Sequence, residues 1–427
     1  MSFLCYNCPN KNMSKIKLWY LYDFANSFAS SVIVFFFPLL LSEKGASDTW
    51  IGISVVISTI ILLSFYPKLG NSADISKSKR ILYIKISSFV MSLSLLLLAF
   101  ISNTNEVFSF TTLAILSVLY IIFQISFQGS YVFYSAMMQD FENEGSDKNK
   151  VSSFGLGIGQ LGNAISIGLM GALIIGSGVT LFGLFDKSLA IFLGAFIFLF
   201  LAYPFLFSSS FNYKGGLINK NLEFFSYKKF LLKIKENKKV LYFLIGYMLV
   251  ADSISTLQVY LSLYMKNVFG FTDKMTSIGG AISLLALFST CMFLGRYVNK
   301  FENKNKLLLI GGVVYVFAFL CFALSPTNIY FVFTTLIFAG IAYGLFFPLA
   351  RSIYSSIIPK DSQAMYFSAF IIFERAATIF GPIIWIVIFF LLSSFGVQVQ
   401  YRGNLIFLAM VAMVGLTLIR KSFKIKN

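Results

Sequence analysis

The chain has 427 residues, 58% hydrophobic and 12% charged, with 51 phenylalanines and a net charge of +17. That apolar share, with a mean hydropathy of +0.81, excludes the ordinary soluble and disordered classes. There is no histidine, and the four cysteines are Cys5, Cys8, Cys291 and Cys321. The first two form a C-x-x-C without a second pair and the others fall in apolar runs, so neither a zinc site nor a thiol enzyme is expected.

About 20 consecutive apolar residues cross the hydrocarbon core of a bilayer. Runs of that kind predict twelve spans, at 18–41, 49–69, 81–101, 107–130, 152–176, 186–207, 240–265, 275–295, 307–325, 328–350, 364–393 and 402–420. In lipid every backbone polar group must be satisfied within the segment, so the spans read as helices. The expected class is an all-α polytopic membrane protein of two six-helix bundles. Residues 1–17 form a tail, 18–207 the first bundle, 208–239 a basic linker, 240–420 the second bundle and 421–427 a second tail. The first run is too long for a cleavable signal and lacks a small-residue cleavage pattern. Met13-Ser14-Lys15 reads as an alternative start that would leave residues 1–12 outside the protein.

In span one, Asp23, Asn26, Ser27, Ser30 and Ser31 fall at i, i+3, i+4, i+7 and i+8. That is one helix face, and in a bilayer a polar face turns to protein or water. A carboxylate inside a span costs about 2.5–3.5 kcal/mol on insertion scales, so it marks a site by default. For Asp23, close to one interface, a capping or packing role competes with that reading. The second-to-third connection carries Gly70, Asp74, Lys79 and Arg80. Glycine lets two helices approach, while Asp74 can cap the next helix and pair with a base. This loop is expected to gate the cytoplasmic end, and Arg351 near the end of span ten is assigned to the same gate. A similar loop, Gly295 to Asn299 with Lys300, Lys304 and Lys306, follows span eight and suggests an internal repeat.

Span four ends with Gln124, Gln128, Tyr131 and Tyr134, a cavity lining or a packing surface. Span five holds Gly155, Gly157, Gly159, Gly162, Gly168 and Gly171, which permit tight crossings. In the linker, Lys228, Lys229, Lys233, Lys235, Lys238 and Lys239 accompany Leu222, Phe225, Phe230, Leu231 and Ile234. These suit either an amphipathic helix on an anionic leaflet or a solvated connection. Span seven repeats the motif of span one with Asp252, Ser255 and Thr256. Span eleven contains Glu374, Arg375 and the pair Gly381-Pro382. Arg375 is expected to reach Asp252 across the cavity, or else to form an ion pair that orients the bundle.

Of the 34 lysines and arginines, 27 fall on the even-numbered connections and the tails, five on the opposite side, and Lys85 and Arg375 inside spans. This asymmetry places both termini in the cytoplasm and makes the basic excess topological rather than a nucleic-acid footprint.

Tyr22 through Ser27 followed by Phe35-Phe36-Phe37-Pro38 resembles the opening helix of the vacuole-effluxer-like branch of the major facilitator superfamily. Phe133 to Ala136, Val151-Ser152 with Phe154-Gly155, Tyr247 with Asp252 and Thr256, Arg351-Ser352, Ile358-Pro359 and Gly381-Pro382 extend the likeness across residues 20 to 385. Ser253 stands where that branch usually has glycine, and Ala364-Met365-Tyr366-Phe367 lacks its acidic pair. The resemblance implies alternating access and efflux of small solutes, amino acids being the best-known cargo. We therefore expect a monomeric secondary transporter in the cell (inner) membrane, without a cofactor, moving a small solute with or without a coupled proton or other ion. Its substrate or coupling residues are expected to be Asp23, Asn26, Asp252, Thr256, Glu374 and Arg375. A non-transporting sensor or assembly factor on a carrier fold is the alternative, while a membrane enzyme lacks any nucleophile–base spacing.

Overall fold

The computed structural model describes residues 10–75, 77–137, 141, 148–208, 211, 234–297, 300–326, 328–358 and 363–425. Twelve helices among them are long and apolar enough to cross a membrane. In the first bundle they are α1 (Asn10–Glu43), α2 (Asp48–Ile75), α3 (Lys77–Ser102), α4 (Phe110–Ala136), α5 (Lys148–Leu173) and α6 (Asp186–Leu206). The second bundle has α7 (Lys238–Phe269), α8 (Asp273–Tyr297), α9 (Lys304–Leu324), α10 (Ile329–Ile357), α11 (Gln363–Leu391) and α12 (Val397–Lys424). All twelve predicted spans are present. One element had no counterpart in the prediction, a hairpin of two-residue strands, β1 (Thr180–Leu181) and β2 (Leu184–Phe185), leading into α6. The amphipathic stretch expected in the basic linker lies largely outside the described residues.

The repeat suspected from two loops is carried by the helix pairings. Helix α1 packs on α5 and α6, α3 on α4 and α6, and α2 on α4; α7 packs on α11 and α12, α9 on α10 and α12, and α8 on α10. Each pairing of the first bundle thus recurs six helices later, as a parallel repeat requires. The bundles meet along α5 with α8, α2 with α11, and α1 with α7. Large apolar side chains such as Phe89, Phe200, Phe317 and Phe390 stay exposed on the outside, where lipid rather than water is their solvent.

Helix α5 shows why its sequence is rich in glycine. Gly155, Gly159 and Gly162 lie against α1, where an added Cβ would meet Trp19, Ser27 with Asp23, and the Phe24 backbone. Gly157, Gly168 and Gly171 lie on another face against α8, where a Cβ would meet Met292, Ala281 and Ser277. Helices without a water-driven attraction between them hold by close packing, which small residues allow. One stripe therefore joins α5 to its own bundle, and the other is the surface along which the two bundles touch.

Candidate functional site

Successive helices run in opposite directions, so the chain termini share one end of the molecule, called here the terminus end; the opposite end is the far end. Between the bundles, charged and aromatic groups gather towards the terminus end, where Tyr131 closes the membrane-crossing stretch of α4 and Glu374 and Arg375 stand near the start of that of α11. Arg351 of α10 is exposed, as is Gln258 of α7, although both sit on helices that otherwise bury most of their inner positions. Glu374 and Arg375 of α11 are half-buried. Arg351 lies within electrostatic reach of Glu374, Arg375, Tyr131 and Tyr247. The Arg375 guanidinium carbon stands 5.8 Å from the centre of the Tyr131 ring, which belongs to α4 of the other bundle. A guanidinium over a tyrosine face is held by the ring quadrupole. Tyr343 of α10 faces Glu374, Gln258 and Tyr131. Two guanidiniums, one carboxylate, three tyrosines and an amide thus gather where the halves face one another.

The expected pairing of Asp252 with Arg375 is not what the structure holds. Asp252 is 2% exposed, and its Oδ1 accepts a hydrogen bond of 2.6 Å from the backbone N–H of Gly381. The reason lies one residue further along α11. Pro382 lacks an N–H and its ring displaces the carbonyl one turn earlier, so the helix bends there. A neighbouring polar side chain can serve the backbone groups such a bend frees. Thr256, one turn from Asp252, is fully buried against the same glycine. Arg375 meanwhile points to Tyr131. Asp252 and Thr256 thus both meet the α11 backbone at Gly381, just before Pro382.

The first bundle repeats this arrangement. Asp23 and Ser27 have the same i, i+4 spacing on α1, and a Cβ on Gly159 of α5 would lie 3.0 Å from Ser27 Oγ and 3.2 Å from Asp23 Oδ2. Helices α1 and α5 correspond to α7 and α11 in the repeat. Asp23 is 7% exposed, beside Tyr134 and within the field of Tyr131. The rest of its polar face packs within the bundle. Ser31 donates to Asn163 Oδ1 at 2.6 Å, and Ser30 to the Ser27 carbonyl at 3.0 Å. Asn26 is buried.

Removing the Asp252 side chain and preserving its acceptor should have different consequences. Asp252→Asn keeps an oxygen for the Gly381 N–H and is expected to retain transport within a few-fold. Asp252→Ala leaves that N–H without its partner, costs about 1–3 kcal/mol, and should lower thermal stability and transport together. Parallel melting and uptake measurements on the two variants check this.

At the terminus end, Gly70 and Asp74 fall in α2 and Lys79 in α3, but their side chains lie outside the described residues. Arg80 is buried at the start of α3. Arg351, assigned to this gate, lies six residues before the end of α10, within electrostatic reach of Glu374, Arg375, Tyr131 and Tyr247.

The far end holds a group that the sequence reading did not pick out. Lys187, 3% exposed at the start of α6, lies 2.9 Å from Glu43 of α1, 2.9 Å from Asp186 and 2.5 Å from Asp273 of α8. Lys266 of α7 reaches Glu43 at 2.7 Å and Asp273 at 3.3 Å. On the other flank, the Tyr401 hydroxyl of α12 donates to Asp48 Oδ2 of α2 at 2.7 Å, and Asn267 donates to Tyr401 at 3.0 Å. Between these, Tyr260 and Trp385 stack at 4.3 Å with no exposure. A signal was available. The far side carries only five basic residues, so each lysine retained there runs against the topological bias.

Two repeated six-helix bundles, joined at the far end and with charged groups between them, are the architecture of a membrane carrier. The sequence profile of the Major Facilitator Superfamily matches residues 19–382, and the chain belongs to that family. It is 25% identical over 393 residues to the "Uncharacterized MFS-type transporter YxiO" of Bacillus subtilis (strain 168), covering 86% of each chain. It is 23% identical over 189 residues to "Autophagy-related protein 22" of Vanderwaltozyma polyspora, covering 42% of this chain and 35% of that one. The fold is shared with a solved bacterial homologue of the human lysosomal transporter Spinster, in an inward-facing and unoccupied conformation. That likeness has a TM-score of 0.70 and 12% identity, covering 98% of this chain and 99% of that one. Family and fold make the chain a secondary transporter rather than an enzyme.

Proposed function

We propose that the chain exports a small carboxylate-bearing solute, an amino acid, across a cell membrane with both termini in the cytoplasm. The observation that carries this is the cavity's charge. Arg351 and Arg375 lie close to Glu374 between the bundles, a pattern that offers cations to a carboxylate and a carboxylate to an ammonium group. Guanidiniums bind carboxylates through paired, charge-assisted hydrogen bonds. The ring of Tyr131 beneath Arg375 keeps the fork oriented from the opposite bundle, so a bound solute touches both halves at once. Amino-acid cargo and efflux are what the likeness to the autophagy-related proteins suggests.

The basic residues, 27 against five, support a cytoplasmic terminus end, which is then the end to which the cavity opens. Export begins with loading from that side. With no histidine in the chain, a coupled proton would travel on a carboxylate, and Asp23, beside Tyr134 and near Tyr131, is our candidate. Purified protein in sealed vesicles should accumulate a labelled amino acid in a gradient-dependent manner, and unlabelled cargo inside should accelerate exchange. Failure of every amino acid in such a screen, with a correctly folded protein, would remove the cargo assignment while leaving the family intact.

A further inference from the structure

The five far-end charges come from both bundles. Glu43, Asp186 and Lys187 belong to the first, Lys266 and Asp273 to the second. Their contacts divide in the same way. Lys187 with Asp273 and Lys266 with Glu43 cross between bundles; Lys187 with Glu43 and with Asp186, and Lys266 with Asp273, stay within one. The far end must come apart when the carrier turns its cavity to the other side. Breaking a buried ion pair is strongly opposed when a charge is left without a partner. Here neither half would be left so, because each lysine already touches a carboxylate of its own bundle.

We propose that this cluster is an exchangeable latch: it holds the far end shut through its two cross-bundle pairs and releases by trading them for the pairs within each bundle. On release Lys187 keeps Glu43 and Asp186, and Lys266 closes onto Asp273. The first bundle then carries one net negative charge at this end and the second carries none. The latch attracts while closed, yet its opening exposes no lone buried charge, so the bundles can part on every transport cycle. Lys187 is the central member, since it alone contacts three carboxylates. Without it, Glu43, Asp186 and Asp273 face one another with only Lys266 between them, and like charges push the far end open.

Ser277 supplies a reporter. It has no exposure and packs against Gly171 across the α5–α8 seam, so a thiol there becomes reachable only when the bundles separate. The protein carries Ser277→Cys with Cys5, Cys8, Cys291 and Cys321 replaced, and is labelled in detergent with a water-soluble maleimide. Lys187→Met should raise the labelling rate roughly ten- to hundred-fold, less than losing a partner from a fully buried pair would give, because the carboxylates it leaves are 35%, 34% and 13% exposed. Lys266→Met, which alters a more exposed residue (29%), should raise it by less and tests the same point should Lys187→Met fold poorly. The double variant Lys187→Glu with Asp273→Lys separates a latch from a static ion cluster. It keeps the cross-bundle attraction, but its halves can no longer neutralise themselves, so labelling should fall below that of the parent and transport should be lost without loss of thermal stability. Parental labelling in both methionine variants, or normal transport by the exchanged pair, would overturn the proposal.

Discussion

Replacing Arg375 with alanine is expected to abolish measurable transport at ordinary cargo concentrations while the protein still folds. The side chain is half-buried in the cavity, so its loss leaves no gap in a packed core. What disappears is a fork of donors held over the Tyr131 ring at 5.8 Å. A hydrogen bond to a charged group contributes about 1.5–3 kcal/mol, and a two-pronged contact more than one. The apparent affinity for cargo should therefore fall by roughly ten- to several-hundred-fold. Arg375→Lys keeps the charge but neither the planar fork nor the stacking, and those are what orient a carboxylate. It should recover only a small part of the activity. Tyr131→Leu should weaken binding less than Arg375→Ala, because it removes the support and leaves the donor. Direct binding measurements beside transport rates distinguish weakened loading from slowed turnover. Full transport by Arg375→Ala would place the cargo elsewhere in the molecule.

Gly381→Ala should be among the most damaging single-methyl additions in the second bundle. The new Cβ would overlap Thr256 Oγ1, and it would lie 2.8 Å from Asp252 Oδ1 and 2.9 Å from Thr256 Cβ. Rotating the threonine relieves the first contact but not the last, so α7 and α11 must move apart. Overpacking of this kind costs typically about 1–3 kcal/mol. Separation also stretches the 2.6 Å bond that holds the Gly381 N–H. Because Glu374 and Arg375 lie about two turns before the bend, a shift here also moves the cavity charges. Melting temperature and transport should fall together, and Thr256→Gly in the same chain should restore much of both by removing the atom in the way. Restoration of stability without transport would show that packing alone does not account for the loss of transport.

Much of the fold was legible in one dimension. Length and hydropathy are enough to find membrane helices, because a bilayer allows few other ways to satisfy the backbone. The glycines of α5 were readable as packing residues for a similar reason. Their division between α1 and α8, however, depends on which helices lie on either side. The two buried aspartates show the limit most clearly. Asp23 and Asp252 look alike in sequence, each with a hydroxyl one turn later, yet one lies beside Tyr134 and the other accepts from the Gly381 backbone. The far-end latch was legible least of all, since its members are scattered from Glu43 to Asp273 and each by itself reads as an ordinary helix-end charge.

The sequence by itself determined twelve membrane helices, their family and the skewed distribution of basic residues, because hydrophobic length and charge bias are properties of local segments. Only the tertiary structure decided which charges meet. It brought Arg375 to Tyr131 instead of Asp252, set Arg351 within reach of Glu374 and gathered five far-end charges from four helices. Electrostatic energy depends on distance through space, and distances between helices follow from packing that no local pattern encodes.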